Sequence, residues 1–182
     1  MKKICSLPCP KIFHNAQYDV GWLEASGITV HGPIIDTMIA AALIDENRFS
    51  YSLNALSVDY LGEIKAETEL REAAAAHGID PKAEMWKLPA EHVGYYAEQD
   101  ATLTLKLWQR FKVEIQNQSL QTVWDLERNL IPVLIKMRQR GIRVQVAKAE
   151  ELQTEMKNQE KEILLAIKKE SGIEVDIWAS RQ

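Results

Sequence analysis

Tyr96 and Asp100 stand four residues apart within Glu91 to Trp108, so a helix there sets a hydroxyl and a carboxylate one turn apart on one face. An aspartate beside a buried stripe needs a partner, and taken alone this one is answered equally by a neighbouring lysine or by water. A second pair has the same spacing. Asn15 and Asp19 fall one turn apart at the start of a helix that follows a short apolar run, where an open α/β sheet places its ligands, beyond the carboxyl end of a strand. Asn15 is read either as the cap of that helix or as a ligand-binding side chain. Asp19 lies too far into the helix to cap it.

The elements that must position these four residues follow from caps and periodicity. Lys11 to His14 reads as a strand, and the helix after it runs from Asn15 to a stop at Gly27. Thr29 to Ile35 is a second apolar run. Asp36 then caps Thr37 to Ile44, a helix apolar almost all round and so expected to be buried. Ser52 caps Leu53 to Leu61 with Gly62 behind it, and Ala66 to Ala76 forms a further helix stopped by Gly78. In the helix that carries Tyr96 and Asp100, Pro89 suits the first turn and Glu91 faces the positive end of the dipole. Val93, Ala97, Ala101, Leu105 and Trp108 predict its buried stripe, with Tyr96 and Asp100 beside it.

Beyond Phe111 the pattern changes. Ser119 to Arg140 is an amphipathic helix ending at Gly141, Ile142 to Val146 is extended, and Ala147 to Ser171 is a long charged helix. Its seam of Leu152, Met156, Gln159, Ile163 and Ile167 is thin, so this helix is expected to project and pack on something else. The two domains are placed at 1–117 and 118–182.

With 182 residues and 46% hydrophobic content, the chain is long enough for a sizeable core. A net charge of -4 excludes an overall basic nucleic-acid-binding surface, while leaving room for a local basic patch or an acidic site bridged to phosphates by metal ions. Cys5 and Cys9 are the only cysteines, too few for a disulfide scaffold or a closed zinc site, which fits a reducing compartment. No apolar run is long enough to span a membrane, and the expected location is the cytoplasm.

Taken in order, Asn15-x-x-x-Asp19, the Ser52-Leu53-x-x-Leu56 helix ending at Tyr60-Leu61-Gly62, and Tyr96-x-x-x-Asp100 resemble the proofreading 3′–5′ exonuclease domain of family A DNA polymerases. His14 to Asp19 looks like that family's Exo II motif. Asp36-Thr37-Met38 looks like the Asp-Thr helix start that follows it, and Tyr96 to Asp100 looks like Exo III of the tyrosine-bearing DEDD subclass. Leu126 to Val144 is similar to the segment that joins this exonuclease to the polymerase thumb, and the charged helix after it to the start of the thumb. The resemblance covers Lys11 to about Gln182. It implies an α/β chain, a partial ribonuclease-H-like exonuclease fold followed by a helical extension.

It also implies a chemistry. Phosphodiester hydrolysis by two divalent ions about 4 Å apart stabilises the charge on the phosphoryl oxygens, and hard oxygen donors hold such ions. By resemblance, Mg²⁺ or Mn²⁺ would be held by Asp100 directly and by Asp19, Tyr96 would orient the attacking water, and Asn15 would hold the terminal nucleotide. The expected substrate is a single-stranded or frayed DNA 3′ end. The family's first motif, Asp-x-Glu on an early strand, has no counterpart here, since Met1 to Pro10 contains no carboxylate. Asp125-Leu126-Glu127 has the spacing but follows Exo III on a helix, and it is rejected as a substitute. Ions are therefore expected to bind weakly, and three antiparallel strands, like the palm and fingers, would come from the same or a second chain. Two other functions compete. One is a catalytically silent exonuclease-fold module that serves structure or DNA binding. The other is an RNA-trimming exonuclease of the same superfamily, against which the thumb-like segment speaks.

Overall fold

The computed structural model describes residues 1–65 and 67–176; Ala66, where one helix was expected to begin, and the last six residues of the thumb-like segment lie outside the described residues. The chain is α-rich around a small parallel sheet. After a short helix α1 (Lys2–Cys5), strand β1 (Lys11–Phe13) leads into α2 (Ala16–Ala25), and β2 (Ile34–Asp36) leads into α3 (Thr37–Ile44). Then come α4 (Leu53–Leu61), α5 (Thr68–Ala76), a single 3₁₀ turn at Met85–Lys87, α6 (Ala90–Asn117), α7 (Gln121–Arg140) and α8 (Val146–Ser171). The expected α/β character thus reduces, among the described residues, to two strands paired in parallel, with Lys11, Ile12 and Phe13 opposite Ile34, Ile35 and Asp36. Helix α2 is the crossover that parallel neighbours require.

The apolar run from Thr29 yields a strand only at its end. Gly32 has φ +82°, and a Cβ there would lie 2.6 Å from the carbonyl oxygens of both Pro8 and Cys9. Only glycine fits so close an approach in that conformation. The His31 N–H donates to the Cys5 carbonyl at 2.8 Å and its carbonyl accepts from Lys11 Nζ at 2.6 Å, so the backbone before Pro33 is held by the N-terminal segment and by a side chain of β1, with its N–H turned away from the ladder. Cys5 itself is buried, which makes α1 part of the packed structure although nothing in its sequence pattern marked it.

The alternating faces of β2 divide the core. Ile34 packs with Ala16 and Val20 of α2 and Ile131 and Ile135 of α7, while Ile35 packs with α3, α4 and α6 through Ala40, Ala41, Leu56, Leu107 and Phe111. Compactness carries through Arg140, because α7 packs back on α2 and β2, so residue 117 falls inside the first unit, at the end of α6. Gly141 begins a second unit containing α8, none of whose residues is buried.

Two corrections concern helix registers. On α6 the buried residues are Leu103, Thr104, Leu107, Phe111 and Ile115, whereas Ala97, Ala101 and Leu105 of the expected stripe are exposed. Counting back in turns from Phe111 gives Leu107, Leu103 or Thr104, then Asp100 and Tyr96. The two functional candidates therefore continue the buried face instead of flanking it. On α2, Asn15 is the N-terminal residue but makes no side-chain capping bond; its backbone is left-handed at φ 69°, ψ 57°.

The capping work at Asn15 is done by Asp36. Its carboxylate, 1% exposed, accepts from Asn15 N at 3.0 Å, Ala16 N at 2.7 Å and Met38 N at 2.9 Å, so one side chain satisfies the starts of α2 and α3. A second link lies alongside. Thr37 Oγ1 donates to the Phe13 carbonyl at 3.1 Å and lies 2.9 Å from His14 Nδ1. Burial lowers the His14 pKa, with the Lys65 charge acting in the same direction and Asp36, the Tyr51 backbone and Asp100 opposing it.

Asp36→Ala removes the acceptor of three N–H groups at once and is expected to cost about 3 kcal/mol in urea unfolding, since buried orphan donors are expensive. Loss of under about 1 kcal/mol would contradict the two-helix cap. For His14 the folded pKa lies below the unfolded one, so its contribution is complete above the ordinary value near 6.5 and is lost as pH falls below it. Unfolding measured across that window should show this slope in the parent chain and a flatter one in His14→Gln; identical slopes would contradict it.

Candidate active site

An open cleft of about 830 Å³ lies at the carboxyl end of β1, lined among others by Phe13, His14, Asn15, Asp19, Asp100 and Thr104. That volume falls within the range of small-molecule sites. Three of the four residues singled out by spacing thus face one cavity although two separate helices carry them. Asn15 and Asp19 arrive from the start of α2, where the Asp36 carboxylate fixes the turn out of β1. Asparagine is among the few residues that accept the left-handed conformation, so the type at position 15 has a backbone reason, and the residue, whose side chain makes no capping bond, is part of the cleft lining.

Asp19 is an exposed carboxylate whose pKa is raised by burial of part of its surroundings and by the Asp36 charge, a backbone hydrogen bond opposing. Two acids thus share one helix start, and a cation at Asp19 would relieve the repulsion. One wall of the cleft is aromatic: Tyr18 and Trp22 are exposed by 55% and 64% and meet edge to face with centroids 6.4 Å apart.

Asp100 and Tyr96 come from the buried face of α6. Tyr96 is not among the residues that line the cleft; it is joined to Asp100 through Lys65. The Lys65 ammonium donates to Asp100 Oδ2 and to the Tyr96 hydroxyl, each at 2.8 Å, and sits 4.5 Å from the centre of the Tyr96 ring. Burial works against this charge, but the hydrogen bonds to Asp100 and Tyr96 outweigh it and hold the lysine pKa above its ordinary value. The other oxygen, Asp100 Oδ1, is buried with no hydrogen-bond partner. Thr104 Oγ1 donates to the Asp100 carbonyl at 2.7 Å, one turn along the same face.

Lys65 is the residue that sequence spacing missed. It follows Gly62 in an irregular segment, 35 residues before its carboxylate partner, and no local pattern marks it. The lysine answer to Asp100, left open beside water, is the one realised.

Whether these residues fit a pair of divalent ions is a matter of donors. Oδ1 of Asp100 is an acceptor in want of a partner, but Oδ2 is taken by an ammonium, and among the described residues Asp19 is the only other carboxylate on the cleft wall. Among the described residues no group of three or more His, Cys, Asp or Glu side chains lies close enough to hold a metal ion. Mg²⁺ takes near-octahedral oxygen coordination, so two acids, one of them ion-paired, do not by themselves make a two-ion site. No described helix is long and apolar enough to cross a membrane.

The family model described as 3′–5′ exonuclease matches residues 2–116, which includes both strands and all four candidate residues. A DNA-directed DNA polymerase of Pseudomonas phage M6 is 36% identical over 169 residues, covering 90% of this chain and 26% of the phage protein. DNA polymerase DpoZ of Acinetobacter phage SH-Ab 15497 is 32% identical over 169 residues, covering 90% and 27%. DNA polymerase I of Treponema pallidum is 28% identical over 134 residues, covering 72% and 13%. The chain spans about a quarter of the length of the phage polymerases it matches. With Asp19 and Asp100 brought from two separate helices to one cleft, and with a family model matching most of its length, this chain belongs to the 3′–5′ exonuclease family of family A DNA polymerases.

Proposed function

We propose that this chain is the 3′–5′ proofreading portion of a DNA-directed DNA polymerase, acting on single-stranded or frayed DNA 3′ ends in the cytoplasm of a bacterial or phage-infected cell. The observation that carries the reading is the meeting of Asn15, Asp19 and Asp100 at one cleft, with Tyr96 one turn from Asp100. Asp19 and Asp100 supply two of the four acids of a ribonuclease-H-like hydrolytic site that takes Mg²⁺ or Mn²⁺. A strand bearing Asp-x-Glu, from the same or a second chain, supplies the rest. Tyr96 orients the attacking water through its hydroxyl, and Asn15 holds the terminal nucleotide through its amide. Residues 1–117 are the exonuclease part, and 118–182 the linker and the start of the thumb, to which palm and fingers belong.

Single strands suit the cleft for a physical reason. An unpaired base can stack on an exposed aromatic face whatever its identity, and Tyr18 and Trp22 offer such faces beside Asn15. The overall negative charge leaves little for non-specific backbone attraction, so binding depends on this local wall and on cations at the acids.

One observation favours a second reading, that of a catalytically silent exonuclease-fold module: the Asp100 carboxylate is already neutralised by Lys65. The two readings differ in what supplying the missing acids does. Degradation of a 3′-labelled DNA oligonucleotide by this chain alone should be slow or absent, and fusion or co-expression of a segment carrying Asp-x-Glu should produce divalent-dependent hydrolysis. In that complemented protein, Asp100→Ala should abolish hydrolysis. Tyr96→Phe should slow it by roughly tenfold to a thousandfold, about 1.4 to 4 kcal/mol of barrier, because only an orienting hydroxyl is lost. A complemented protein that folds but never hydrolyses DNA would establish the silent module, and full activity of Asp100→Ala would overturn the assignment of α6.

A further inference from the structure

The contact between Lys65 and the Asp100–Tyr96 pair has the features of an occupied cation site. The ammonium is 2.8 Å from a carboxylate oxygen and 2.8 Å from a phenol oxygen, lies over the ring of that phenol, and its side chain is only 10% exposed. These are the neighbours a bound cation wants: a formal negative charge, a neutral oxygen and a π face. We propose that Lys65 is the resident cation of Asp100, so that this chain holds its own positive charge where a divalent ion would have to bind, and an ion enters only when the Lys65 side chain leaves.

Geometry makes the two mutually exclusive. Mg²⁺ binds carboxylate oxygen at about 2.0–2.1 Å, so on Oδ2 it would compete with the ammonium for the same oxygen. On Oδ1 it would still sit within a few ångströms of a fixed positive charge, in a partly buried place where water screens poorly. Lys65 is well suited to such an exchange. It lies in the irregular segment between α4 and α5, held by no helix of its own, on a four-carbon stem that can swing to solvent. The lysine thereby keeps Asp100 and Tyr96 together in the absence of ions, and it sets a threshold that an ion supported by additional carboxylates crosses at low concentration and a lone ion only at high concentration. This inference rests on the reading of Asp100 as an ion ligand.

The test is Mn²⁺ binding to the full chain, followed by calorimetry and by the electron paramagnetic resonance signal of the free ion. Lys65→Met keeps the stem and removes the charge, and it should bind Mn²⁺ at least about tenfold tighter than the parent. Lys65→Arg keeps the charge and should stay as weak as the parent, which a mere packing role would not require. Adding Asp100→Asn to Lys65→Met should erase the gain. A variant-free measurement guards against misfolding: in the parent, Lys65 should react with an amine-modifying reagent more slowly than exposed Lys82, and millimolar Mn²⁺ should speed modification at Lys65 alone. Equal Mn²⁺ binding by parent and Lys65→Met, or no change in Lys65 reactivity, would overturn the proposal while leaving hydrolysis by the complemented protein untouched. A gain that survives Asp100→Asn would show that Asp100 is not the ligand, and the proposed function would fall with it.

Discussion

The Asp36 carboxylate is the interaction on which the rest depends. It lies at the end of β2 and closes the turn out of β1 by accepting from Asn15 N and Ala16 N, while it caps its own helix through Met38 N. A sheet of two three-residue strands has little ladder of its own to fix the relation of α2 to α3. A buried carboxylate with three backbone donors does so, since each donor would otherwise be an orphan in a dry place. Fixing that turn places Asn15 in its left-handed conformation and directs Asp19 from the first turns of α2 toward the cleft. The buried charge also has a chemical consequence, for after desolvation it is the second cause that raises the pKa of Asp19, and a cation beside Asp19 would relieve that repulsion.

The second half of the site is set by α6. This helix is 28 residues long, and its far end is anchored by Leu107, Phe111 and Ile115 against α3, α4 and Trp124. Because Tyr96 and Asp100 continue that face, the same burial that holds the helix also turns the tyrosine and the carboxylate inward. The register could not be chosen from Glu91 to Trp108 alone, where Ala97, Ala101 and Leu105 are apolar and yet exposed. Alanine is as content on a helix surface as inside it, and only the aromatic and β-branched residues further along decide which stripe is buried.

What was legible in the sequence was local. Asp36 as a cap, Ser52 and Gly62 around α4, and the one-turn pairs at Asn15 and Tyr96 all act within a few residues, where the physics of helix ends and turns is written. What was not legible acts across the chain. Asp36 reaches back some 20 residues to Asn15 and Ala16, Lys65 reaches forward 35 residues to Asp100, and Gly32 is required by the close carbonyls of Pro8 and Cys9. None of these has a period or a motif, so each becomes visible only when the elements are packed. Asn15 illustrates both sides, since its position at a helix start was plain while its bond to another residue's carboxylate was not.

The central claim is that Asn15, Asp19 and Asp100 share one ion-binding cleft once further acids are supplied. Paramagnetic line broadening by trace Mn²⁺, read from the backbone amide spectrum of the protein complemented with an Asp-x-Glu segment, tests it most directly. The account predicts that the amides of residues 15, 19 and 100 broaden together at the lowest Mn²⁺ levels and that Asp100→Asn removes the effect at all three. Broadening confined to exposed carboxylates such as the glutamates of α8, with those three amides left sharp, would contradict it.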